Sequence, residues 1–381
     1  MATFLIRYRV PKRNRKLFNG STQRKAAHEE GLRVVNPQVA HFFEDLATAC
    51  RNAGPPSITR ILHLPDLTVE LQVVGETLAE AMLPALSHLL SDAAKGAPDI
   101  TFSLWDGAAT GVWPPRPPFS PEDFRRYGQR AVAHDGPCSL MYAPMSAQLF
   151  AYNRASRHGY FWVEDASELT IYERAAPLQT LFHWALVEYG WQVIHAAAVG
   201  ASAGGVLLIG GTGAGKSTTA LSCLTHQGVR LLSDDKCLVR LQPEPQAFAL
   251  FSSAKLKADM LERLPHFRTL LAGWDDDYKA DKGLLFLYPT YTEQMVTTFP
   301  VKALLLPRVA QQREPVIRPA APAQLFRQLG PSTVIWLPGA ESDNYRFAAE
   351  LVRRLPCRQL DLALEPARNM EAIRTLLGGL E

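Results

Sequence analysis

The string Gly210-Gly211-Thr212-Gly213-Ala214-Gly215-Lys216-Ser217 constrains this chain more than any other feature. It fits G-x-x-x-x-G-K-[ST], in which glycines let backbone N–H groups turn inward where side chains would crowd a bound anion. Lys216 adds a positive charge, and the Ser217 hydroxyl, followed by Thr218, can ligate Mg²⁺. The apolar run Val206-Leu207-Leu208-Ile209 predicts a strand before the loop. Ser217 to Thr225 predicts a helix after it, ended near Gly228. A strand, a glycine loop and a helix in that order read as a nucleotide-phosphate site over residues 210–218.

Val229 to Asp235 follows. A helix from Lys216 to about Gln227 descends roughly 16–18 Å, and a strand of about five residues climbs back roughly 16 Å. A right-handed crossover then returns Asp234 and Asp235 to the level of the phosphates. One carboxylate there can serve Mg²⁺ and the other can accept the proton of an attacking hydroxyl. His195, in Ile194-His195-Ala196-Ala197-Ala198-Val199, precedes the loop strand. By geometry alone it reads equally as a packed core histidine or as a group reaching the phosphate end of a hairpin.

At 381 residues the chain has length for two domains. With 47% hydrophobic and 20% charged residues it can bury a sizeable core. A net charge of +3 argues against nucleic acid or a polybasic membrane contact. The five cysteines (Cys50, Cys138, Cys223, Cys237, Cys357) form no CxxC pair, which favours a reducing cytoplasm over disulfides or zinc. No apolar run spans a bilayer, and the first twenty residues lack the layout of a secretory signal, so the expectation is cytoplasmic, without membrane. The basic residues Lys12, Arg13, Arg15 and Lys16 read as a solvated arm.

Three parts are expected: an α+β domain over 1–112, a Pro-rich linker over 113–130, and a catalytic domain over 131–381. In the first, a helix near His41 to Cys50, a strand over Leu67 to Val74, a helix over Leu78 to Leu90 and a strand over Ile100 to Trp105 are predicted. In the last, Pro177 opens a helix that Gly190 caps, and Val193 to Val199 forms one strand. A strand at Val301 to Leu306, a helix at Tyr345 to Arg354, a strand at Cys357 to Leu364 and a helix at Pro366 to Leu377 complete an α/β pattern. Lys255 and Lys282 are either solvated strand-end lysines or clamps on a transferring phosphoryl group. Asp275-Asp276-Asp277 reads as an exposed loop.

Taken together, His195-Ala196-Ala197-Ala198-Val199, the loop Gly210 to Ser217 and Leu232-Ser233-Asp234-Asp235 resemble HPr kinase/phosphorylase and its relatives, which include kinases encoded beside lasso-peptide precursors. The resemblance is continuous over about residues 177–241. It implies an α/β P-loop kinase core of the HPr kinase and phosphoenolpyruvate carboxykinase type. It also implies Mg²⁺ and ATP, a serine of a protein or peptide as acceptor, and an assembly of like subunits. Carried over, Lys216, His195 and Asp234 are catalytic, with Asp234 as base, while Ser217 and Asp235 serve the metal. The two aspartates can exchange roles. A segment like E-x-R-G-L-G, which serves the reverse phosphorolysis in the family, is missing, so the expectation is a kinase without phosphorylase activity. A small-molecule hydroxyl kinase and a non-catalytic ATP-binding regulator are the rival readings.

Overall fold

The computed structural model describes residues 36–92, 96–125, 130–275, 282–337 and 341–379. The basic run Lys12 to Lys16, and Asp276 and Asp277, lie outside the described residues.

The chain opens with α1 (Pro37–Asn52), whose Asn36 side chain accepts a cap bond from the Gln38 N–H. A hairpin follows, β1 (Ile58–Leu64) and β2 (Leu67–Val74). In β2 every second residue is buried, as its alternating sequence predicts. The helix expected over Leu78 to Leu90 is shorter: α2 (Glu76–Met82) gives way to a 3₁₀ turn that begins at Pro84. Proline lacks the N–H a continuing helix needs, so the apolar spacing persists through a different backbone. Then come β3 (Leu90–Ser91), β4 (Ile100–Asp106) and the single turn α3 (Gly107–Thr110). Beyond the Pro-rich stretch run β5 (Ala131–Asp135), β6 (Cys138–Ala143), β7 (Gln148–Asn153) and β8 (His158–Val163).

These eight strands form one sheet in the order β3-β1-β2-β4-β8-β7-β6-β5. β4 and β8 lie parallel, paired from Thr101↔His158 to Asp106↔Val163. The expected division at residues 113–130 therefore falls inside a sheet: strands on either side of the Pro-rich stretch share hydrogen bonds. α1 packs on one face through Phe42, Phe43 and Leu46 against Trp105 and Trp162.

After α4 (Ile171–Ala175) and α5 (Gln179–Leu186) the second sheet begins. α5 starts two residues later than Pro177 predicts, because Leu178 adopts a left-handed conformation (φ 55°). Gly190 closes the following 3₁₀ turn in the αL cap expected of it. The strand expected over Val193 to Val199 is two, β9 (Gln192–Ile194) and β10 (Ala197–Ala201). β10 turns back into β11 (Gly204–Leu208), which leads through the glycine loop into α6 (Lys216–Ser222). β12 (Arg230–Ser233), β13 (Cys237–Arg240) and β14 (Gln246–Phe248) follow.

A small third sheet holds β15 (Ser253–Lys257), β16 (Leu271–Asp275) and β17 (Lys282–Phe286), with α7 (Ala258–Arg263) between its first two strands. The long β18 (Thr298–Gln312), β19 (Val316–Pro319), α8 (Pro322–Trp336), α9 (Glu341–Arg354), β20 (Cys357–Ala363) and α10 (Pro366–Gly378) end the chain. The second sheet runs β12-β10-β11-β18-β14-β13-β9, with β20 beside β18. The molecule is thus mixed α/β with large sheets. Among the described residues no helix is long and apolar enough to cross a membrane.

Candidate functional site

Pairing around β10 gathers the site. Ala197 lies opposite Leu208 in the β10–β11 hairpin, so His195, two residues before Ala197, stands level with Gly210, two beyond Leu208. β12 pairs antiparallel with the other edge of β10 through Ala198↔Ser233. It therefore runs parallel to β11 with β10 between, and delivers Asp234 and Asp235 beside the glycine loop. His195 sits in the gap between β9 and β10, where the chain leaves its pairing with β13 and takes up its pairing with β11 and β12. A strand-breaking position in a buried segment frees the imidazole to point out of the sheet.

Within the loop, Gly213 (φ 82°) and Gly215 (φ 93°) occupy the left-handed region that glycine reaches without strain. Lys216 is buried and donates to the carbonyls of Gly210 (2.6 Å) and Gly211 (3.2 Å). Burial lowers the Lys216 pKa, opposed by Asp235 and Asp234.

The two aspartates differ although they are adjacent. Asp235 lines a cavity of about 430 Å³ together with Gly211–Gly213, Gly215–Thr218, His195, Lys255 and Lys282. His195 Nε2 donates to Asp235 Oδ1 at 2.9 Å. Lys255 Nζ donates to Oδ2 at 3.0 Å, and Lys236 Nζ lies 3.5 Å from the same oxygen. Burial works to raise the Asp235 pKa, but Lys255, Lys236 and the His195 hydrogen bond hold it well below the usual carboxylate range. Burial pushes the Lys236 ammonium down to about 8, with Asp235 working the other way.

Asp234 is 1% exposed and, unlike Asp235, is not among the described residues that wall the cavity. Its Oδ2 accepts the Lys255 backbone N–H at 3.1 Å. Its Oδ1 is buried without a hydrogen-bond partner, and the Ser217 hydroxyl is close enough to favour the charged form. Burial and the Asp235 charge raise the Asp234 pKa. An orphaned carboxylate oxygen beside a serine hydroxyl at the glycine loop is a set of hard oxygen donors of the kind Mg²⁺ takes. Among the described residues no three His, Cys, Asp or Glu side chains gather as a metal cluster.

Both lysines left open by the sequence join the site. β15 and β17 pair with Lys257 opposite Lys282, and Lys255 and Lys282 both line the cavity. Lys255 also stands over the Tyr172 ring, 5.9 Å from its centroid. Several lining residues carry no sequence signal: Arg130 immediately before β5, Gln148 on β7, and Tyr172 and Glu173 on α4. They belong to no motif, and pairing alone brings them here.

No family model matches the chain, and no curated protein matches it. Among solved structures it is similar to the HPr(Ser) kinase/phosphatase from Coxiella burnetii, with 12% identity, coverage of 49% of this chain and 95% of that one, and a TM-score of 0.28.

Proposed function

We propose that this protein transfers the γ-phosphoryl group of ATP to an alcohol hydroxyl. The observation that carries this reading is Asp235, an ionised carboxylate facing one cavity with the glycine loop and aimed by His195 and Lys255. The acceptor oxygen forms a bond to the γ-phosphorus as the bond to the β,γ-bridging oxygen breaks. Asp235 receives the hydroxyl proton, and ADP leaves with the bond's electron pair. Such transfers pass through a loose transition state that needs little basicity, so an acidic carboxylate suffices to orient the hydroxyl. Lys216, Lys255 and Lys282 offset charge on the phosphoryl oxygens. Ser217 and Asp234 would hold Mg²⁺, which neutralises phosphate charge when bound. These roles for Asp234 and Asp235 exchange those expected from the sequence, because only Asp235 of the two opens onto the cavity among the described residues.

The sequence resemblance points to a serine of a protein or peptide as acceptor. A small hydroxyl compound is the second reading, favoured by a cavity of about 430 Å³ walled by strands of the first sheet and of the small third sheet. Incubating the protein with γ-labelled ATP, Mg²⁺ and panels of peptides and small alcohols tests both. Label on a hydroxyl is expected; tight ATP binding with no labelled acceptor would hand the site to the regulatory reading.

A further inference from the structure

The cavity that Asp235 lines also has an apolar set of walls, Met141 on β6, Phe150 on β7 and Phe161 on β8, among polar ones such as Gln148 and Thr180. Arg130, immediately before β5, closes on the same space. Among the described residues its guanidinium makes no hydrogen bond or ion pair. Burial lowers its pKa, and Glu173 opposes that shift. Glu173 is itself engaged: Oε2 accepts the Thr170 N–H at 2.8 Å, and Oε1 accepts from the Gln148 amide. Arg130 thus has a neighbouring counter-charge but, among the described residues, no acceptor for its five N–H donors. A planar carboxylate satisfies such a fork with two parallel bonds. A doubly charged phosphate fits less well, since Glu173 leaves little net positive charge there.

We infer that this chamber is the acceptor subsite for a compact hydroxy acid: its hydroxyl at Asp235, its apolar middle against Met141, Phe150 and Phe161, and its carboxylate on Arg130. This rests on the kinase reading above and narrows its acceptor to a free small molecule. The transfer balances as described there, the carboxylate taking no part in bond making.

The test uses the full chain saturated with Mg·ADP and titrated calorimetrically with 3-phenyllactate, and separately with 3-phenyllactamide, which lacks the charge. Phenyllactate is expected to bind saturably and its amide about 10- to 100-fold more weakly, as for one charge-assisted contact. Arg130→Gln is expected to weaken phenyllactate by the same factor while Mg·ADP affinity stays within about twofold. Equal binding of acid and amide, binding of neither, or unchanged affinity in Arg130→Gln overturns the inference. So does a large loss of Mg·ADP affinity in that variant, which would place the nucleotide in the chamber. Wild-type protein that binds no Mg·ADP overturns the kinase reading itself, whereas failure of phenyllactate alone leaves that reading standing.

Discussion

Lys255 holds Asp235 through its ammonium group, 3.0 Å from Oδ2, while its own backbone N–H binds the neighbouring Asp234. One residue of β15 thus fixes both carboxylates, and the third sheet becomes part of the candidate site. Side chain and main chain of a strand leave in different directions, so the two aspartates are held apart by the same residue.

That double hold predicts a large effect of Lys255→Met. The Asp234 contact survives, being made by the main chain, while Asp235 keeps His195 and Lys236. Turnover should fall by about 10²–10³, as when one preorganised charge contact is removed, with nucleotide affinity changing much less. Equal losses in turnover and nucleotide binding would show Lys255 to be a general phosphate anchor instead.

Asp234→Asn probes the metal. With a neutral amide next to Ser217, the Mg²⁺ concentration for half-maximal activity should rise at least about tenfold, a loss of roughly 1.4 kcal/mol. In wild type the raised Asp234 pKa means protons compete with the cation, so Mg²⁺ binding should strengthen as pH rises from the acid side. Magnesium titrations that superimpose for variant and wild type would remove Asp234 from the metal site.

The loop glycines separate conformation from space. Gly213→Ala meets nothing within 4 Å and suffers mainly from its positive φ, about 1 kcal/mol. At Gly215 the same φ problem is joined by overlap between the new Cβ and Leu362 Cδ1. Chemical denaturation should therefore rank Gly215→Ala as the less stable of the two; the reverse order would contradict the loop conformation described.

His183 offers a stability test away from the site. It is 1% exposed, neither ring nitrogen has a hydrogen-bond partner, and burial, then the nearby His134, push its pKa down to about 4. The folded state resists protonation that the unfolded chain accepts below about 6.5. Stability should therefore be full above that value and fall by about 1.4 kcal/mol per pH unit down towards 4. His183→Leu should flatten that slope; an unchanged slope would mean that other groups set it.

Much of this was legible in the sequence because local chemistry and tertiary pairing agree there. The β2 alternation, the glycine loop, the strand to Asp234 and the final β20–α10 unit all stand within a residue or two of where pattern places them. Disagreement came where a distant partner decides. Nothing local tells that β9 and β10 pair with different strands, yet that break sets the position of His195. Which aspartate faces the cavity depends on the turn after β12, and β15 fixes it from twenty residues away. Arg130, Gln148 and Glu173 carry no signal for the same reason: β7, α4 and the residue before β5 share one cavity with the glycine loop, and no spacing in sequence records that approach.

The most direct test of the account is single-turnover transfer from γ-labelled ATP, compared between wild type and Asp235→Asn with the acceptor that the panels identify. Transfer should fall by about 10²–10⁴ in the variant, the range for losing a positioned proton acceptor, while Mg·ATP affinity holds within a few-fold. Transfer persisting at the wild-type rate in Asp235→Asn would contradict the account at its centre.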